Sequence, residues 1–136
     1  MARKAKAYVL DSWAVIAYLE DEPSASQIAE LIASAHEEEI PLYMTVVNAG
    51  EVWYTIAREI SEEDANASIK ELRDLRIQFE NADWNLTQEA ALFKCKHKMS
   101  YADCYAAALA KSKKADLVTG DVEFKQIEKA INIQWV

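Results

Sequence analysis

The stretch YVLDSWAVIAYLEDEP, running from Tyr8 to Pro23, decides how the rest of the chain reads. Tyr8-Val9-Leu10 has the apolar, β-prone character of a short buried strand, and it ends at Asp11. A second apolar run, Trp13 to Leu19, follows at once. A strand that turns directly into a helix accounts for both runs and leaves a carboxylate at their seam. An unpaired buried charge is expensive, so Asp11 has to be paired, metal-bound or protonated.

Working outward, the chain of 136 residues fits one domain spanning 1–136. At that length roughly two-thirds of the unfolded surface is buried, enough for a real core. With 51% hydrophobic residues and only two Gly and two Pro, the composition is that of a folded protein. No apolar run approaches the ~20 residues of a membrane span, and the basic start Met-Ala-Arg-Lys-Ala-Lys reads without a signal peptide. Cys95 and Cys104 lie in helical patterns and read as free, buried thiols of a reducing, cytoplasmic setting.

The segments alternate. Strands are expected at 5–10, 42–47, 77–82, 115–119 and 131–136. Helices are expected at 12–20, from Ser24, from Asn48, from Ser61, and at 87–98, 100–113 and 122–130. Ile28, Leu31, Ile32 and Ala35 form one apolar helical face, as do Ala49, Val52, Trp53, Ile56, Ala57 and Ile60, and Ala65, Ile69 and Leu72. The 100–113 segment is apolar almost all round, as in a helix buried against a sheet. This α/β alternation predicts a mainly parallel central sheet with helices on both faces.

Four acids stand out by position. Asp11 and Asp121 follow strands, Glu51 lies a turn past the second strand, and Asp103 sits on the buried helix. Sites in parallel sheets form beyond the carboxyl ends of strands, so topology delivers three of the four to one rim. Each has a purely structural alternative. Asn48-Ala-Gly-Glu51 and Ser100-Tyr-Ala-Asp103 match capping boxes, and Asp11 and Asp121 can each cap the helix that follows. Capping, however, does not require four carboxylates at one rim. Crowded carboxylates raise each other's pKa unless a cation neutralises them. All-oxygen ligands suit Mg²⁺ or Mn²⁺ better than zinc.

The net charge of −8 argues against non-specific coating of nucleic acid. The charge is uneven, though. Residues 7–57 hold nine acids and no Lys or Arg, whereas residues 94–114 hold six lysines and one acid, Asp103. That stretch reads either as a site for an anionic ligand or as a solvated lysine face. Hard cations beside lysines point to phosphate chemistry, which needs no serine, cysteine or histidine nucleophile. His36 and His97 accordingly read as surface residues.

Four pieces in order, VLDSWAVIAYL (9–19), VVNAGEVWYTIAREI (46–60), MSYADCYAAALAKS (99–112) and LVTGDVEF (117–124), followed by INIQWV (131–136), resemble the PIN-domain ribonucleases of the VapC toxin type. The resemblance covers the chain from about residue 6. It implies a PIN-like α/β/α sandwich and Mg²⁺- or Mn²⁺-dependent endoribonuclease activity. It implies that Asp11, Glu51, Asp103 and Asp121 form the metal-binding catalytic pocket, with Asp11 and Asp103 the main ligands. Ser12, Asn48 and Thr119 would support those acids through hydrogen bonds. Glu123 ranks as surface. Val122 stands where the family usually has proline. The resemblance also implies an RNA substrate, a small VapB-type antitoxin partner and a homodimer. Trp53 and Tyr54 are adjacent and cannot both face one core, so one of them reads either as an interface residue or as a partly exposed aromatic. The competing readings are a non-catalytic PIN-fold module for RNA or protein, and a phosphatase or receiver-type domain. Trp13 and the lysines at 4 and 6 stand where the latter types need acids.

Overall fold

In a computed structural model, residues 3–136 are described. The elements are β1 (Tyr8–Leu10), α1 (Ser12–Leu19), α2 (Ala25–Glu37), β2 (Leu42–Thr45), α3 (Val46–Glu59), α4 (Glu62–Asp74), β3 (Ile77–Glu80), α5 (Trp84–Lys96), α6 (Tyr101–Lys113), β4 (Asp116–Thr119), a 3₁₀ turn (Val122–Ile127) and β5 (Ile133–Trp135). All strand pairings are parallel, and the five strands run in the order β3-β2-β1-β4-β5.

Strand residues alternate between two cores, because successive side chains point to opposite faces. Val9 and Leu117 pack with α5, α6 and Phe124 of the 3₁₀ turn. Leu10, Met44 and Val118 pack with α1, α2, α3 and α4. Both faces are therefore covered, which is why the strands read as continuous apolar runs. In α6, Cys104 to Ala110 are all buried. Alanine's small side chain lets this helix approach the sheet closely.

The strand order fixes the site. From β1 the chain steps outward through β2 and β3, then crosses back to add β4 and β5 on β1's other edge. The crevice opens where that direction reverses, beyond the carboxyl ends of β1 and β4.

Some boundaries differ from the sequence reading. β2 stops at Thr45, and α3 starts at Val46 with Thr45 rather than Asn48 as its cap. Thr45 Oγ1 accepts from Asn48 N at 2.9 Å, a bond open to a β-branched residue in extended backbone. The box proposed for Asn48 and Glu51 therefore does not form. Ser24 precedes α2 in helical backbone without a side-chain cap. Asp83, accepting from Leu86 N, starts α5 three residues earlier than expected. Ile60 ends α3 at 64% exposure instead of joining its apolar face, and Cys95 is exposed while Cys104 is buried. Both thiols are free. His36 is exposed, and His97, half-buried near Phe93, is less open than a surface reading implies. No helix among the described residues is long and apolar enough to cross a membrane.

Candidate active site

The seam at Asp11 is built as its sequence suggests. Asp11 leaves β1 in extended backbone and is 1% exposed. Its Oδ1 accepts from Ala14 N at 2.8 Å, capping α1. Its Oδ2 accepts from the Thr119 hydroxyl at 2.5 Å, reaching across to the end of β4. Thr119 Oγ1 in turn accepts from Asp121 N at 3.0 Å. One hydroxyl thus couples the two strand ends that define the crevice. Asp121 then caps the 3₁₀ turn by accepting from Glu123 N at 2.9 Å.

Asp103 arrives from the first turn of α6. Ser100 caps that helix, its Oγ accepting from Asp103 N at 3.1 Å. The position of α6 is set by Asn48, which is fully buried. Its Nδ2 donates to the Ala102 carbonyl at 3.1 Å, and its Oδ1 accepts from Thr45 Oγ1 at 2.5 Å. Glu51 enters from α3 and accepts a hydrogen bond from the Ser12 hydroxyl. Ser12, Asn48 and Thr119 therefore all brace the elements that carry the acids.

Asp103, Asp121 and Glu123 each offer a carboxylate oxygen, and these lie within 4.8 Å of one another. Glu51 lines the same open cleft of about 480 Å³, and the buried Asp11 carboxyl is near enough to Asp103 and Asp121 to feel their charge. The four predicted acids do converge, but the tightest cluster includes Glu123, which the sequence reading had left on the surface. No local pattern signals this, because Asp121 and Glu123 are brought together only by the 3₁₀ turn that Asp121 caps.

Three carboxylates among the described residues are buried, Asp11, Asp103 and Asp116. Asp116 is met by the Arg3 guanidinium at 2.8 and 2.9 Å. Among the described residues no lysine or arginine pairs with Asp11 or Asp103. Burial pushes the Asp11 carboxyl up to about 7 despite its bonds from Thr119 and Ala14, with Asp103 and Asp121 adding repulsion. Burial, then the charge of Asp121 and a hydrogen bond shared with Glu123, pushes Asp103 up to about 7 as well. An all-carboxylate donor set, desolvated and short of positive charge, fits a hard divalent cation.

Three of the six lysines of residues 94–114 are engaged by groups of the chain itself. Lys111 pairs with Glu89 at 3.1 Å, Lys113 with Glu80 at 3.2 Å, and Lys94 donates to the Met99 carbonyl at 2.6 Å. Of the adjacent aromatics, Trp53 packs partly buried against the core and donates to Asn66 Oδ1 at 2.9 Å, while Tyr54 stays exposed beside the cleft. A residue not singled out from sequence, Gln126, ties the loop before α6 to the 3₁₀ turn. Its amide pairs with both the N–H and the carbonyl of Lys98 and donates to the Glu123 carbonyl.

The PIN domain family model matches residues 8–130. The chain belongs to the PIN domain family. Solved structures of similar fold include VapBC2 from Rickettsia felis, bound to a fragment of its promoter DNA, at a TM-score of 0.73 and 16% identity over 93% of this chain and 96% of that one. VapC20 from Mycobacterium tuberculosis, a toxin that cleaves the sarcin–ricin loop, is similar at 0.70 and 17% identity, covering 88% and 94%. VapBC-1 from nontypeable Haemophilus influenzae is similar at 0.70 and 19% identity, covering 94% and 96%. No curated protein matches the chain. In this PIN domain the fold is that of the VapC proteins, and the acids stand at the sheet's switch point.

Proposed function

We propose that this PIN domain, acting as one unit over residues 1–136, is a Mg²⁺- or Mn²⁺-dependent endoribonuclease and the toxin of a VapBC-type pair. The observation that carries the reading is the pair of buried, cation-free carboxylates, Asp11 and Asp103, beside Asp121 and Glu123. A protein with no use for a cation here gains nothing by crowding these charges. Asp11, Glu51, Asp103 and Asp121 are the pocket acids, and Glu123 joins Asp103 and Asp121 as a metal ligand. A bound divalent cation would supply Lewis acidity at the phosphate. Asp103, Asp121 and Glu123 would hold it, and the nearby Asp11 carboxylate would add negative charge to the site. Glu51, steadied by Ser12, orients the attacking water and receives its proton. Val122, exposed beyond the cluster, changes the loop and leaves Asp121 in position.

VapB complexes among the structural relatives support a small antitoxin partner, and we propose a homodimer working in the cytoplasm. The competing reading, a non-catalytic module, draws support from the caps that Asp11 and Asp121 do form.

Cleavage of a mixed pool of structured RNAs separates the two. Discrete fragments with Mn²⁺ or Mg²⁺, absent with chelator and absent for Asp103→Asn, are expected. Metal-dependent cleavage that survives Asp103→Asn would overturn the assignment.

A further inference from the structure

The cleft that holds the acidic cluster has a second wall, which the acid chemistry leaves unused. Trp13 and Ile16 of α1 and Tyr54 of α3 form it. Tyr54 is 47% exposed, and the Arg58 guanidinium lies 5.1 Å from its ring centroid, a cation–π contact that steadies the ring. The Trp13 indole lies over Gly120, where an added Cβ would stand 2.2 Å from the ring. Glycine at that position makes room for the indole, which sits beside the backbone that leads into Asp121. Two aromatic side chains thus face the space next to the carboxylates.

Electrostatics on this face oppose a polyanion. The cleft carries Glu51, Asp103, Asp121 and Glu123, and the chain's net charge is −8. One divalent cation offsets only part of this. Lys111 and Lys113 are engaged with Glu89 and Glu80. Among the described residues that line the cleft there is no lysine or arginine, so the phosphate attraction that usually dominates nucleic-acid binding has no side-chain partner within it. The remaining general source of affinity is stacking of bases on aromatic rings, worth roughly tenfold per base and tolerant of sequence.

Building on the nuclease reading, we infer that Trp13 and Tyr54 stack a nucleobase next to the phosphate held at the acidic cluster. A base locked in a helix presents no free face to the wall.

The test is fluorescence anisotropy on the full chain in Ca²⁺. The probes are labelled hexa-adenylate and a hexamer of abasic ribose phosphates of equal charge. The expected result is roughly tenfold tighter binding of the adenylate. Tyr54→Ala and Trp13→Leu should each remove most of that ratio while abasic affinity stays unchanged, and Phe at either position should restore it. Equal binding of the two hexamers, no binding of either, or a ratio untouched by Tyr54→Ala would overturn the inference. So would a Tyr54→Ala variant that changes only the oligomeric state in sedimentation, which makes this wall a protein interface. Cleavage in Mn²⁺ is scored separately. Cleavage without the ratio removes the wall alone, whereas the ratio without cleavage removes the nuclease reading and keeps the wall.

Discussion

Gln126 clasps the backbone of Lys98 at both its polar groups, its Oε1 accepting from the N–H at 3.3 Å and its Nε2 donating to the carbonyl at 3.0 Å. The same amide nitrogen donates to the Glu123 carbonyl at 3.1 Å. Lys98 precedes the helix that carries Asp103, and Glu123 closes the cluster with Asp121. The clasp therefore sets the spacing between the two segments whose carboxylates converge. Gln126→Glu keeps an acceptor for Lys98 N–H but loses the donors. Titration calorimetry should show Mn²⁺ affinity falling several-fold, with stability lowered by only about 1 kcal/mol because the side chain is exposed. Unchanged affinity in both Gln126→Glu and Gln126→Ala would remove this positioning role.

The pH dependence of the metal-free protein has a definite sign. Asp11 and Asp103 are both pushed up to about 7 from an ordinary value of 3.8. Between those values the folded state holds protons that the unfolded chain has released. Stability is then full below the ordinary carboxylate range and is lost as pH rises through about 7. Melting in chelator should fall from pH 5 to pH 8. Saturating Mn²⁺ should flatten or reverse that trend, because the cation takes the place of the protons. A melting temperature independent of pH in chelator would contradict this account.

Asp11→Asn separates the two roles of the seam. The amide oxygen can still accept from Ala14 N–H or from Thr119, but it carries no charge. At pH 8 in chelator the variant should melt higher than the parent, by about 3–5 °C for each kcal/mol of relieved desolvation. In Mn²⁺ it should gain much less than the parent, and RNA cleavage should be lost. A parent that melts higher than Asp11→Asn in chelator at pH 8 would mean that the charge is already compensated.

Gly120→Ala tests the Trp13 contact from the other side. The new Cβ meets the indole at 2.2 Å, so the ring has to move. Overpacking of this kind costs about 1–3 kcal/mol. Chemical denaturation should show that loss in the single variant and a much smaller one when Trp13→Ala is present as well. Additive effects in the double variant would show that the two residues do not share the space.

Much of this was legible in the sequence. Tyr8-Val9-Leu10 followed by Asp11 gave the strand, its end and the carboxylate beyond it, because a doubly covered parallel strand is apolar throughout. The alanine-rich run after Ser100 gave a buried helix for the same reason. Other features depend on three-dimensional context. Asn48 is a capping type by propensity, yet Thr45 takes the cap and leaves the Asn48 amide free to hold Ala102. Glu123 looked like one more surface acid, because nothing local shows that a 3₁₀ turn will fold it back onto Asp103. The lysines of residues 94–114 looked like a patch because their partners, Glu80 and Glu89, lie on other elements.

The bond between Thr119 and Asp11 spans 108 positions of sequence. β1 is the middle strand of the sheet, yet its neighbour β4 is made only after β2 and β3. Until then β1 has one open edge, and Asp11 lacks both its hydroxyl partner and Asp121. A chain made only as far as α6 therefore carries no complete cleft. The order of synthesis itself withholds Asp121 and Glu123 from Asp103 until β4 has been made.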